Sequence, residues 1–470
     1  MPDFYEQIMA NPEAVFDFPY GRGYELSNAQ LDNFHRHWLQ KRFEQLRPKV
    51  PVLAKLAADQ RVEKISGIAE AAPLLFTHTV YKSYPMSYLE RGRFDALTKW
   101  LSKLTTTDLS AVDAAGVGTI DDWIDLLDEK TELMLLHTTG TSGKLSFFPR
   151  TRHQTRLMAR QVANAFRGWE GPDSHADMLK EHRPLINPSH QYGAGMNQRN
   201  IQIQIEMFTD GPEHALFLYP GQRLSADLLS LGGRLRTAEA RGEAGSLQIP
   251  PGLLRRRDEL IEQEKRRPQA MSEFLKSAQQ RFARQDIYVT GVYPMFYDWA
   301  VQGLADGYRN VFGPDSFALM GGGTKGRQLP DGWKQTITEF LGFTTMMEVY
   351  GMTECMGLAM LCEEGKYHFS PLTIPYLLDP KTGELLPRKD GTFGRYAFFD
   401  LIPDNFWAGM VTGDAITIGG FETPCKCGRT GYYAEKDIRR FSELEGGDDK
   451  VLCSGAPEAH DRASAFLAES

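Results

Sequence analysis

Apolar residues recur at helical spacing over residues 31–46 and 94–104, which predicts amphipathic helices there, with Ser27 capping the first. Arg47-Pro48-Lys49-Val50-Pro51 ends that first helix, because proline offers no amide hydrogen and its ring crowds the turn before it. A helix over 120–127 leads into Leu133-Met134-Leu135-Leu136, a short apolar run that reads as a buried strand. A Gly/Thr/Ser loop follows at 137–146, and then a basic amphipathic helix over 152–169. Strands are expected at 201–205, 215–219, 287–290 and 317–320, separated by helical stretches that include the charged segment 251–284. Strands alternating with helices predict an α/β fold with a largely parallel sheet. From Pro371 onward, short strands with Gly, Pro and Asp turns predict a smaller β-rich subdomain. The expected organisation is therefore a helical region (1–130), an α/β core (131–370), the β-rich subdomain (371–440) and a terminal segment (441–470).

The composition narrows the function classes. The 470 residues carry 53 Lys and Arg against 61 Asp and Glu, a net charge of −8. This balance argues against a nucleic acid or an acidic membrane as partner, since those call for a basic face. No apolar run approaches the roughly 18–20 residues that span a bilayer. The start, Met1-Pro2-Asp3-Phe4-Tyr5-Glu6, is acidic where a secretory leader is basic and then apolar, so a cytoplasmic location is expected. Five cysteines in so long a chain do not form a disulfide framework and point to metal ligation or packing.

Three segments carry candidate chemistry. Thr138-Thr139-Gly140-Thr141-Ser142-Gly143-Lys144 lies between the predicted strand and the predicted helix. Glycines let backbone amides approach phosphate oxygens, hydroxyls add donors, and the lysine neutralises charge. An ordinary strand-to-helix turn is the other reading of this loop alone. It is not a Walker A loop: Thr138 and Leu145 occupy positions where that pattern needs Gly and Ser or Thr. The second segment, Tyr350-Gly351-Met352-Thr353-Glu354, follows an apolar stretch and Gly321-Gly322-Gly323, and the third is Thr412-Gly413-Asp414. Together they supply an aromatic face for a base, a hydroxyl for a phosphate, an acid for a metal ion and a carboxylate for ribose.

In this order the three segments resemble the adenylate-forming superfamily of acyl-CoA synthetases, adenylation domains and luciferases. The phenylacetate–CoA ligase branch is the most similar, with the acyl-protein synthetases of luminescence systems as neighbours. Tyr81-Lys82-Ser83-Tyr84-Pro85, Gln191-Tyr192-Gly193 and Cys425-Lys426-Cys427-Gly428-Arg429-Thr430 add to the resemblance. It implies an α/β large domain with mixed sheets flanked by helices, and ATP-dependent activation of a carboxylic acid as an acyl-adenylate with release of pyrophosphate. The activated acyl group then passes to CoA, an amine or a carrier or partner protein. Residues 138–144 would handle the β- and γ-phosphates, with Lys144 neutralising charge. Tyr350 and Gly351 would meet adenine together with Gly322 and Gly323. Thr353 would hold the α-phosphate, Glu354 the Mg²⁺, and Asp414 the ribose hydroxyls. His190, Tyr192 and Gly193 would border the acyl pocket, for which an aryl or apolar acid is expected, and a homodimer is compatible with this reading.

Departures from the pattern shape a second reading. Leu145-Ser146 stands where the loop often continues with Pro, and Gly447 in Gly446-Gly447-Asp448-Asp449 stands where a hinge arginine is usual. The short tail after Asp449 predicts a truncated C-terminal lid domain. These features keep open a catalytically reduced nucleotide-binding partner or regulatory protein of the same fold. Cys362, His368, Cys425 and Cys427 form a Cys₃His set suited to closed, structural zinc, with packing as the alternative; Cys355 and Cys453 are read as packing.

Overall fold

A computed structural model of the protein describes residues 3–138, 143–169, 177–243, 247–323, 327–441 and 463. Helices form where the periodicity predicts them. Ser27 caps the helix Asn28–Leu46 in a reciprocal box with Gln30, and Thr151 does the same with Gln154 for the helix Arg152–Gly168. The predicted helices at 94 and 120 are Phe94–Leu101 and Ile120–Lys130. The charged stretch divides into Pro251–Arg255 and Arg257–Phe282.

The strands are β1 (Leu136–His137), β2 (Phe147–Phe148), β3 (Leu185–Gly193), β4 (Ala215–Leu224), β5 (Tyr288–Gly291), β6 (Phe317–Gly321) and β7 (Met346–Tyr350). They continue as β8 (Ala359–Leu361), β9 (Lys366–His368), β10 (Thr373–Leu378), β11 (Thr392–Asp400), β12 (Gly409–Gly419), β13 (Tyr433–Glu435) and β14 (Arg439–Arg440). Apart from the β1–β2 pair, all of them join one twelve-stranded sheet in the order β4-β3-β5-β6-β7-β8-β9-β13-β12-β11-β10, with β14 also on β12. The half from β4 to β7 is parallel and the half from β8 to β10 antiparallel, so the sheet is mixed rather than largely parallel. The strands after Pro371 extend the same sheet by main-chain hydrogen bonds.

Two sequence expectations fail for clear reasons. Residues 201–205 are not a strand but part of the helix Met196–Phe208. The alternation Ile201-Gln202-Ile203-Gln204-Ile205 mimics a two-residue period, yet Gln198, Ile201, Gln204 and Phe208 are buried together at helical spacing. The strand of this region is β3, whose buried polar residues Asn187, Ser189 and His190 hid it from an apolar pattern. The loop that begins at Thr138 joins β1 to the antiparallel β2, so it tips a hairpin instead of linking a strand to a helix.

The apolar core beneath the parallel half is built from Ile186, Leu216, Val289 and Met320 against Trp299 and Phe340 of the helices Tyr293–Ala305 and Trp333–Leu341. The N-terminal helices close the antiparallel half. His35 Nε2 donates to the Pro371 carbonyl at 2.7 Å, and Arg42 donates to the Leu401 carbonyl at 3.2 Å. Burial, helped by the charge of Arg388, holds the His35 pKa down at about 3. A neutral imidazole therefore stabilises the fold fully above the ordinary value of 6.5, and that stability drains away as pH falls through the window down to about 3. Urea unfolding at stepped pH should show stability declining by up to about 1.4 kcal/mol per pH unit below 6.5. In His35→Gln that slope should flatten. No helix among the described residues is long and apolar enough to cross a membrane.

Candidate functional site

The carboxyl ends of β3, β5, β6 and β7 face one edge of the parallel half, where α/β sheets open a crevice for ligands. β6 delivers the exposed Gly322 and Gly323 there in left-handed conformations, φ +70° and +56°. On the neighbouring strand, β7 ends at Tyr350. Its hydroxyl donates to Asp414 Oδ2 at 2.7 Å, so motifs 64 residues apart meet directly. Burial and the adjacent Asp414 carboxylate push the Tyr350 phenol far above its ordinary range, which keeps it a donor.

Asp414 reaches this point through an irregularity in the sheet. The β11–β12 register shifts between Arg395 and Ala397, and Thr412-Gly413-Asp414 sits in the extra length of β12 opposite Tyr396. Thr412 fixes the bulge: its hydroxyl donates to the Tyr396 carbonyl at 2.7 Å and accepts the Asp414 amide at 3.1 Å. Arg440 of β14 completes the group with Nη1 2.8 Å from Asp414 Oδ1. Each carboxylate oxygen of Asp414 is thus already in a polar contact.

Thr353 and Glu354 follow in a turn whose shape depends on two buried charges. Arg150, 1% exposed, donates from Nη2 to the Thr353 carbonyl. Asp400, 0% exposed, accepts the amides of Met356 at 2.6 Å, Gly357 at 3.2 Å and Ile402 at 2.9 Å. Burial raises the Asp400 carboxyl, while those amides and the charge of Arg150 draw it back. Burial and the nearby Asp414 likewise raise Glu354, against the pull of Arg150 and Arg440. Neither Arg150 nor Asp400 was singled out in the sequence. The available signal was weak: an arginine just before the capping Thr151, and an aspartate ending the apolar run of β11.

The glycine loop is divided. Thr139, Gly140, Thr141 and Ser142 lie outside the described residues, as do Gly446 to Asp449 and Cys453. Gly143, at φ +78°, packs on the helix Ala226–Arg241, and its carbonyl accepts the Ser230 hydroxyl at 2.6 Å. A Cβ there would meet the Ser230 carbonyl oxygen at 2.4 Å and the Arg234 amide at 2.7 Å, so this position requires glycine. Lys144 Nζ stands 5.1 Å from the Tyr84 ring centre. Among the described residues no hydrogen bond or ion pair joins Lys144 to Thr353, Glu354 or Asp414. Leu145 is fully buried, and its carbonyl accepts the Tyr84 hydroxyl at 2.8 Å.

Of the acyl-pocket residues, His190 is 3% exposed with its ring 4.5 Å from that of Tyr219. Tyr192 is 42% exposed, and Gly193 ends β3 with φ +142°.

A second cluster lies at the junction of β8–β9 with the β12–β13 loop. The ligand atoms of Cys362, His368, Cys425 and Cys427 are all within 4.8 Å of one another. Cys362 and Cys425 sulfurs are 4.0 Å apart, and Cys427 Sγ is 3.3 Å from His368 Nε2. Tetrahedral zinc with ordinary bond lengths needs separations of about 3.5–3.8 Å, so the donor set fits that ion with little adjustment. Burial keeps His368 neutral, with its pKa down at about 4, and pushes the Cys425 thiol up to about 12. Cys355 is buried away from this set and contacts Asp400 and the Gly357 carbonyl, which accords with packing.

No family model matches the sequence, and no curated protein matches it. Among solved structures, the chain is similar to an open conformation of 2-hydroxyisobutyryl-CoA ligase in complex with 2-HIB-AMP and CoA. The TM-score is 0.49 at 12% identity, over 90% of this chain and 78% of that one. The same ligase in its thioesterification state gives 0.49 at 13% identity, over 89% and 70%. ATP-bound MatB from Rhodopseudomonas palustris gives 0.36 at 12% identity, over 66% and 48%. At such identities the chemistry of the site rests on its own residues and geometry.

Proposed function

We propose that the protein is an ATP-dependent, AMP-forming carboxylate ligase of the adenylate-forming type, similar to the phenylacetate–CoA ligases. The observation that carries this reading is the Tyr350–Asp414 hydrogen bond. It draws the second and third sequence motifs into one cluster, with Thr353 and Glu354 a turn away and two exposed glycines on the adjacent strand.

The chemistry follows from these side chains. Tyr350 offers its ring to adenine, with the Gly322-Gly323 backbone allowing close approach. Asp414 accepts from the ribose hydroxyls, and its ion pair with Arg440 holds it in position. The Thr353 hydroxyl donates to an α-phosphate oxygen. Glu354 would hold Mg²⁺, which would supply charge neutralisation for the phosphates. A substrate carboxylate then attacks the α-phosphorus, the bond to the bridging oxygen breaks, and pyrophosphate leaves. Such a displacement asks for position and charge balance rather than a protein nucleophile, and the site contains no Ser-His or Cys-His pair among its described residues. An aryl or apolar acid is the proposed substrate, bordered by His190, Tyr192 and Gly193. CoA, an amine or a carrier protein is the proposed acceptor.

The same reading assigns structural Zn²⁺ to Cys362, His368, Cys425 and Cys427. With four protein ligands no position is left for a reacting water, so its role is to hold the β8–β9 hairpin against the β12–β13 loop.

ATP–pyrophosphate exchange over a panel of aryl and fatty acids tests the assignment. Glu354→Gln should lower acid-dependent exchange by about a hundredfold or more while the fold is retained. Unchanged exchange in that variant would remove Glu354 from the reaction.

A further inference from the structure

Asp414 owes its place to the irregularity in β12, and a bulge disturbs the ladder that would otherwise serve the main chain around it. Buried carbonyls there call for donors from elsewhere. Thr412 is 5% exposed, and Nε of Arg395 on β11 donates to its carbonyl at 2.9 Å. Arg395 lies opposite Ala415, the residue after Asp414, so its side chain reaches back across the bulge to make this bond. Thr412 is thereby held twice, its hydroxyl on the Tyr396 carbonyl and its carbonyl on Arg395.

The same guanidinium makes a second contact. Its carbon stands 4.5 Å from the ring centre of Phe441, which is itself 5% exposed, and the negative face of an aromatic ring attracts a cation. Phe441 follows Arg440 directly. Arg440 is the β14 residue opposite Asp414 in the ladder, and it also forms the 2.8 Å ion pair with that carboxylate. Arg395 therefore bears on Asp414 from two sides, on its main chain through Thr412 and on its ion-pair partner through Phe441. A planar guanidinium suits both tasks at once, because it donates in its plane and stacks with its face. Neither Arg395 nor Phe441 belongs to the three sequence motifs.

We infer that Arg395 is a positioning residue that holds Asp414 where it accepts from ribose hydroxyls, and so sets a preference for ATP over an analogue lacking those hydroxyls. The inference rests on the reading of Asp414 as the ribose acceptor, and Arg395 acts through Asp414.

Calorimetric titration of the full chain with ATP and with 2′,3′-dideoxy-ATP tests it, with the melting temperature as the measure of folding. Wild-type protein should prefer ATP by about tenfold to a hundredfold, the scale of hydrogen bonds to a charged acceptor. Arg395→Met should weaken ATP and leave the dideoxy analogue within about twofold, so that the preference shrinks to about threefold or less. Arg395→Lys keeps a donor and should restore part of the preference. Phe441→Leu keeps the hydrogen bond, removes the ring and should give an intermediate preference; it carries the test if Arg395→Met does not fold. A purely structural role would weaken both nucleotides alike. That result, or a full wild-type preference in the variants, overturns the inference. Equal binding of the two nucleotides by the wild-type protein would remove Asp414 as the ribose acceptor and the inference with it. A preference lost in Asp414→Asn but kept in Arg395→Met would overturn the inference alone.

Discussion

Arg150→Met is expected to cost about 3–5 kcal/mol of stability and to abolish acid-dependent ATP–pyrophosphate exchange. The guanidinium is buried beneath the Thr353–Glu354 turn, bonds the Thr353 carbonyl and lies in the field of Asp400 and Glu354. Methionine fills much of the same space but leaves Asp400 buried without its cation and the Thr353 carbonyl without its donor. Asp400 must then either take up a proton or release the amides of Met356 and Gly357, and both outcomes move the turn. Chemical denaturation and exchange assays on the single variants and on Arg150→Met/Asp400→Asn separate the contributions. The double variant should lose clearly less than the sum of the singles, because removing both charges removes the unpaired one. Additive losses would mean that the two residues act independently and that Arg150 does not support the turn through Asp400.

How much of this could be read in the sequence depends on how local each feature is. The helix at 28 is legible because a cap, an apolar stripe and a breaker lie within one short window, and the helix at 152 because of its amphipathic stripe. Tyr350, Thr353, Glu354 and Asp414 were legible as residue types in order, since their chemistry is carried by short motifs. Their meeting was not, because it needs the bulge opposite Tyr396 and the long path of the sheet from β7 to β12. Arg150 and Asp400 were missed for the same reason: a buried ion environment is made by residues far apart in the chain, and neither sits in a motif. The strand misread at 201–205 shows the reverse failure, where a local alternation of isoleucine and glutamine was overruled by helix packing against Arg152–Gly168.

The second large effect concerns the cysteine cluster. Cys425→Ser should lower zinc content from about one equivalent to well below one, and lower the melting temperature by roughly 5–10 °C. The physical reason is that the four ligands come from two separate parts of the sheet. Cys362 and His368 frame the β8–β9 hairpin that follows the Thr353–Glu354 turn, while Cys425 and Cys427 lie between β12, which carries Asp414, and β13. Without the ion, burial keeps the Cys362 and Cys425 thiols protonated, and protonated thiols offer one another only weak contacts. The coupling between the two segments then falls to the ladder hydrogen bonds of β9 and β13. Elemental analysis of untagged protein, paired with calorimetry before and after chelation, reads both quantities. Protein free of zinc and melting at the same temperature after chelation would assign the cluster to packing.

In the proposed reaction a substrate carboxylate attacks the α-phosphorus of ATP at the Tyr350–Asp414 cluster. An oxygen isotope experiment addresses that bond directly. An accepted acid is supplied with both carboxylate oxygens labelled with ¹⁸O, and the AMP formed on acyl transfer is analysed by mass spectrometry. One labelled oxygen is expected in AMP, because the bridging oxygen departs with the α-phosphorus when the acyl group is transferred. Unlabelled AMP, or label recovered in inorganic phosphate, would contradict it.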